Sequence, residues 1–250
     1  GLMIAGEAAL SNWDAGMDMY IYGKLGNLTM TKEGINVLMT NLTGKVPPIL
    51  QRLDYIRFNG EAAGYLHDLT LTGLFHTGAG MVKTDVMMSI DEQSMSRTYS
   101  GSVASADLDL GKLLNQEKKF GKVDFNVELK GFNYKNRYPE SYIKGIISSF
   151  EYSQYQYENI MLDGVYKDGG FNGRLSMDDA NGSVQIDGNF NVAKTIPDFN
   201  LKASVKNLRP HDLHLSDKYE NASISLGLTA DFTGKSIDDM NGRISLDSLQ

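Results

Sequence analysis

From Ser183 to Phe232 apolar and polar residues alternate almost without a break. Val184, Ile186, Gly188, Phe190 and Val192 interleave with Ser183, Gln185, Asp187, Asn189 and Asn191. Phe199, Leu201, Ala203 and Val205 interleave with Asn200, Lys202, Ser204 and Lys206. Ala222, Ile224, Leu226, Leu228, Ala230 and Phe232 interleave with Ser223, Ser225, Gly227, Thr229 and Asp231. Successive side chains of a strand point to opposite faces, so each run has one apolar face and one wet face. Three such runs in succession predict an antiparallel sheet that is greasy on one side only.

The same period governs most of the chain. The alternations from Leu69 to Phe75 and from Val82 to Ile90 predict two strands, with the turn at Thr77-Gly78-Ala79-Gly80. Val123, Phe125, Val127 and Leu129, set against Lys122, Asp124, Asn126, Glu128 and Lys130, form the cleanest strand. Ile160 to Tyr166 and Phe171 to Met177 predict a hairpin across Lys167-Asp168-Gly169-Gly170. Near the start, Met17 to Tyr22 reads as a strand, and Gly23 to Met39 as two more with turns near Gly26 and Lys32-Glu33-Gly34. Tyr134, Tyr138, Tyr142, Tyr152, Tyr155 and Tyr157 read as strand and edge residues, since tyrosine favours strands.

The period changes in two places. Pro47-Pro48 followed by Ile49, Leu53 and Ile56 predicts a helix of one to three turns, ended by Phe58-Asn59-Gly60. Leu110, Leu113 and Leu114 predict a second helix, with Asp109 as N-cap and Gly111 keeping it short. Ser236 to Gly242 reads as a loop or helical turn before a last strand. A weak internal echo links the stretch that leads from Val103 to Gly131 with the one that leads from Val205 to Gly234. It suggests pseudo-repeat halves, 1–131 and 132–250, within one continuous segment over 1–250.

Composition narrows the classes. A chain of 250 residues fits a single all-β domain, and 26 glycines with only 5 prolines suit many hairpins. The net charge is −7 and the cations are scattered, which disfavours a nucleic-acid partner. With no cysteine there is no disulfide, zinc knuckle or thiol nucleophile. No stretch approaches the roughly 20 apolar residues of a membrane-spanning helix. The pattern of Ser245 to Gln250 stops in mid-strand, which predicts a fragment of a longer protein whose targeting signals and anchor lie elsewhere.

Candidate chemistry is thin. The histidines are His67, His76, His211 and His214, and only His67-Asp68 and His211-Asp212-Leu213-His214 gather metal-ligating types. A zinc site needs three or four converging ligands, so solvent-facing or satisfied histidines are the expectation. Asp178-Asp179 and Asp238-Asp239 flank glycine or asparagine and read as turn residues. Asp107 and Asp109 lack the oxygen-donor spacing of a calcium loop, because Gly111 and the leucines interrupt it. No phosphate loop, Gly-x-Ser-x-Gly elbow or His-Glu-x-x-His occurs. The expectation is a protein that is not an enzyme, with no catalytic residues, cofactor or metal.

What remains is to cover the apolar face. Each apolar side chain left wet forgoes roughly 1.5–3 kcal/mol, and the predicted helices are too few to roof the sheet. The sheet can fold on itself as a sandwich or closed barrel with a dry core. It can form an outer-membrane barrel, although the helical insertions at Pro47 and Leu110 fit that poorly. Or it can curl into an open trough that holds apolar ligands. Periodicity is the same for sandwich and trough.

One family uses this vocabulary. The run from Leu42 to Gly60, Leu-Thr-Gly-Lys-Val-Pro-Pro-Ile-Leu-Gln-Arg-Leu-Asp-Tyr-Ile-Arg-Phe-Asn-Gly, resembles a recurring helix-plus-strand segment of the TamB branch of the AsmA-like envelope proteins. Thr77, Gly80 and Asp85 resemble that family's Thr-x-x-Gly-x-x-x-x-Asp strand. Asp107-Leu108-Asp109-Leu110-Gly111-Lys112-Leu113-Leu114, in the stretch from Tyr99 to Phe132, is similar to its Asp-Phe-Asp-Leu-Gly-x-Leu-Leu hallmark, with Leu108 in place of phenylalanine. The region from Ile186 to Leu246, with Asn207-Leu208-Arg209-Pro210, resembles its middle repeats, in the dialect of Bacteroidetes members.

The resemblance implies an all-β fold, an extended, curled antiparallel sheet (a taco-like β-trough) with a few short helical insertions. It implies a periplasmic bridge, anchored in the inner membrane through a segment outside this stretch. The bridge would shield phospholipid acyl chains between inner and outer membranes, or assist outer-membrane protein assembly beside a TamA-like barrel. The alternative is a structural or adhesive β-sandwich with a dry core. The family has no catalytic residues to carry over. Strand parity assigns the groove lining to Val123, Phe125, Val127, Leu129, Val184, Ile186, Phe190, Val192, Ile224, Leu226, Leu228 and Phe232.

Overall fold

The computed structural model describes residues 1–12, 16–91, 93–94, 96–133, 140–191, 194–218, 220–235 and 239–249, without the side chains of 2, 4, 42, 43, 248 and 249. Strands hold 67% of the chain and helices 10%, too little helix to form a second layer. The strands are β1 (Leu2–Ser11), β2 (Tyr20–Thr31), β3 (Tyr55–Tyr65), β4 (Asp68–Thr77), β5 (Gly80–Ile90) and β6 (Arg97–Ala106). After the short β7 (Leu108–Asp109) come β8 (Phe120–Asn133), β9 (Glu140–Tyr152), β10 (Tyr155–Lys167) and β11 (Gly170–Asp179). The last four are β12 (Gly182–Asn191), β13 (Asp198–Leu208), β14 (Ile224–Thr233) and β15 (Asn241–Leu249). The helices are α1 (Lys32–Thr43), α2 (Pro48–Gln51) and α3 (Leu110–Leu114).

Every strand pairs antiparallel with the next, in the order of the chain, and β7 adds to the edge of β8. The result is one 15-stranded sheet that does not close into a barrel. At about 4.8 Å per step, the fourteen-strand path extends about 60 Å. Besides the helices, the described strands pack substantially only on their ladder neighbours and on β7, as the strands of one continuous sheet do. The ladder runs unbroken through Gly131, which sits inside β8.

The long connections fall on one lip of the sheet. Between β2 and β3 the chain makes α1 and α2, between β6 and β8 it makes β7 and α3, and between β13 and β14 it makes the turns of 209–216. Turns of two residues on this lip join β4 to β5, β9 to β10 and β11 to β12. The strand readings for Leu69 to Phe75, Val82 to Ile90, Val123 to Leu129, the hairpin over Lys167 to Gly170 and the three runs after Ser183 all match observed strands. Asp109 caps α3 as expected, its Oδ1 accepting from the Lys112 amide at 2.8 Å.

Three expectations need correction. Gly23 to Met39 is not a pair of strands. Gly26 lies within β2, at a register shift that absorbs it, and the expected turn at Lys32 is the start of α1. Helix wins there because Ile35 and Met39 fall on one side, with Ile35 fully buried. The Pro47 helix is one turn, within the expected length, but it ends before Leu53, and Ile56 with Phe58-Asn59-Gly60 belongs to β3. Met17 precedes β2, in a 3-10 turn over Gly16–Asp18. Tyr134 and Tyr138, and the first three residues of the loop read from Ser236, lie outside the described residues, while Asn241 and Gly242 open β15.

Glycine pairs set the curl. Gly60 faces Gly73, and Gly164 faces Gly173. A Cβ on Gly173 would sit 2.3 Å from the Asp163 carbonyl and 2.5 Å from the Gly164 Cα, closer than any side chain tolerates. A ring closes over each pair. Phe58 lies against Gly60 and Gly73, and Phe171 against Gly164. Strands bend sharply where no Cβ separates them, and the rings restore the lost packing.

Candidate apolar trough

Direct cross-strand partners share a face, so pairing register alone assembles the site. Phe125, Val184 and Leu226 fall in one row, linked through Ile147, Ile160, Met177 and Val205. Val127, Ile186 and Leu228 share the next, through Gly145, Leu162, Leu175 and Ala203. Leu129 lies in a third row that includes the bend glycines Gly164 and Gly173. Phe190 and Phe232 join Phe171 and Phe199 in a fourth, nearest the open lip. Adjacent rings in that row lie 5.7 Å (Phe171 to Phe190) and 4.7 Å (Phe199 to Phe232) apart. Val123 and Ile224 lie toward the helix-bearing lip, and Val192 lies outside the described residues.

Burial separates the two lips. Of the twelve buried hydrophobic residues described, eight form one cluster beneath the helices. Ile35, Leu53, Leu108, Leu113 and Val123 are its centre. Val123, assigned to an open groove by parity, is sealed in this cluster at 5% exposure, because α3 and β7 fold over the start of β8. The other ten described parity positions are half-buried. Their face is therefore less accessible than the polar one.

Two clamps hold the covered lip. Lys112 of α3 reaches Asp54 Oδ2 at 2.7 Å and the Gly78 carbonyl at 3.1 Å, while Arg52 donates to the Leu113 carbonyl. The Lys112 ammonium draws the Asp54 carboxyl below the usual carboxylate range. Farther along, the 209–216 segment packs across two tight turns. Arg209 N donates to Asn181 O at 2.9 Å, and His214 Nδ1 donates to Ser153 O at 2.9 Å. Tyr155 donates to Asp179, and burial, followed by that bond, pushes its phenol up to about 12.

The opposite face is wet and charged. Glu128, Lys144, Asp163, Arg174, Asp187 and Lys202 stand in one row on six successive strands, alternating in sign. Arg174 meets Asp187 at 2.7 Å and Lys144 meets Asp163 at 3.6 Å. Exposed pairs add little energy, but a one-residue slip would oppose these charges to the apolar rows, so the row reinforces register. Shallow hollows of ≈ 450 and ≈ 420 Å³ sit on this face beside Met87 and Met161.

Histidines and acids play structural parts. His67 bonds the Met17 carbonyl, His211 sits 3.6 Å from Asp212, and Asp107 pairs with Lys122 at 2.8 Å. No cluster of three metal-ligating side chains occurs among the described residues, and no described helix is long and apolar enough to cross a membrane. Sequence reasoning missed Leu213, which is 0% exposed. Its setting, Pro-His-Asp-Leu-His, reads as an ordinary turn, and only the fold brings it under Tyr157. Comparison with family models, curated proteins and solved structures finds no match.

Proposed function

We propose that the chain is a segment of a periplasmic trough that shields phospholipid acyl chains as they pass between the inner and outer membranes. The observation that carries the reading is the run of half-buried apolar rows, in register from β8 to β14, gathered on one face of a single sheet that does not close into a barrel. Hydrocarbon-like surface that meets water is costly and is stabilised by a hydrocarbon guest. The resemblance to the TamB branch points to the same guest and the same compartment. No step of bond chemistry is required, in keeping with the absence of a catalytic constellation in the sequence.

The test is site-specific photocrosslinking from Phe125, Ile186 and Leu226 in the intact cell envelope. Lipid adducts at these positions, and none from Gln185 on the wet face, are the expected result. Loss of adducts from all three apolar positions removes the transport reading.

A further inference from the structure

On the lip opposite the helices the apolar face carries a cation. Arg97 opens β6 on the same side as Tyr99 and Val103, with Asn133 of β8 and Ile90 of β5 as its cross-strand partners. It is exposed, and among the described residues nothing pairs with its guanidinium. Two described carboxylates toward this lip are already engaged. Asp91 accepts the amide and hydroxyl of Ser94, both at 2.7 Å, and Glu140 pairs with Lys167 at 2.8 Å on the wet face.

Moving inward, polarity falls in steps. Tyr99 leans across Gly131, where a Cβ would meet its hydroxyl at 2.7 Å, and bonds Ser141, itself 8% exposed. The next row is Leu129 with Ile143, and the one after it Val103 with Val127. From Arg97 to Val103 is six residues of strand, or about 20 Å. Cation, hydroxyl pair and aliphatic rows, in that order, complement a molecule with an anionic head and a hydrocarbon tail.

We infer that Arg97, backed by the Tyr99–Ser141 pair, docks the phosphate of a phospholipid whose acyl chains lie in the trough. This rests on the trough reading and adds to it the lip at which the head group rides and the charge it carries. A guanidinium presents paired donors that match phosphate oxygens, and a charge-assisted bond of that kind outweighs a neutral one. On the helix-bearing lip, Lys112 is spent on Asp54 and Gly78.

The experiment titrates the purified chain with dihexanoyl phosphatidate and with dihexanoylglycerol, below their micelle concentrations, by calorimetry. The wild type is expected to bind the phosphatidate about fivefold to tenfold more tightly. Arg97→Glu should abolish that preference while leaving dihexanoylglycerol binding unchanged. Lys130→Glu, the same charge change on the wet face of β8, should keep it. Leu162→Asp should weaken both ligands. Equal binding of the two ligands by the wild type, or a preference that survives Arg97→Glu, overturns the head-group assignment and leaves the trough standing. Binding of neither ligand overturns both.

Discussion

The hydroxyl of Tyr157 donates a 2.7 Å hydrogen bond to the carbonyl of Leu213, fifty-six residues further along the chain, and both residues are buried. This bond pins the 209–216 segment over the β9–β10 end of the sheet. Tyr157→Phe leaves a buried carbonyl without its donor and should cost about 1–3 kcal/mol. Leu213→Ala removes a fully enclosed side chain and should cost about 2–5 kcal/mol. Urea unfolding monitored by circular dichroism reads both losses.

The curl makes a sharper prediction at Gly101. Its φ is +139°, and a Cβ there would lie 2.0 Å from the Asp85 carbonyl. Gly101→Ala therefore combines backbone strain of about 1–3 kcal/mol with a collision against main chain that has nowhere to move. Gly26, inside β2, offers the contrast, since a Cβ would meet only the Ala5 carbonyl at 3.7 Å. Gly26→Ala should be neutral or stabilise by up to about 1 kcal/mol. Thermal midpoints of the two variants should part clearly. Equal midpoints would mean that the glycines do not shape the sheet.

Parity made most of the trough legible. A strand's period is two, so once Val127, Ile186 and Leu228 were each placed inward, register had only to align them. β1 stayed hidden because Met3, Ala5 and Ala9 make its second face as apolar as its first. α1 was misread because Gly34 looks like a turn. In the fold it is a helical glycine beside the chain's start, where a Cβ would meet the Gly1 carbonyl at 2.6 Å. Arg97 was invisible as a lip residue because Arg-Thr-Tyr-Ser-Gly-Ser has too little apolar alternation to reveal that β6 begins there. The clamps depend on contacts between distant segments, which no local period encodes.

The Lys112–Asp54 clamp gives the covered lip an acid response. Its hydrogen bond and charge lower the Asp54 carboxyl, so the folded state holds that proton less tightly than the unfolded chain does. The clamp is then fully in place above the ordinary aspartate range and is lost as pH falls through the lowered value. Hydrogen exchange at decreasing pH, corrected for intrinsic rates, should show α2 and α3 loosening before β11 to β13. In Asp54→Asn that difference in onset should vanish.

Tyr155 supplies the opposite sign at the alkaline end. Burial and the bond to Asp179 hold its phenol protonated, pushed up to about 12, while the unfolded chain releases that proton near 10. The stabilisation is therefore complete below pH 10 and drains away as pH climbs from there toward 12. His214 stacks edge-on against the ring with centroids 5.7 Å apart, so ionising the phenol also disturbs the 209–216 segment. A phenolate absorbance titration of the wild type should contain a late-ionising tyrosine that Tyr155→Phe removes. The wild type's exchange protection in 209–216 should fall over the same interval, whereas the variant, lacking the phenol, should lose that protection at lower pH and without the late step. If the late phenol persists in Tyr155→Phe, Tyr155 is not the late-ionising tyrosine.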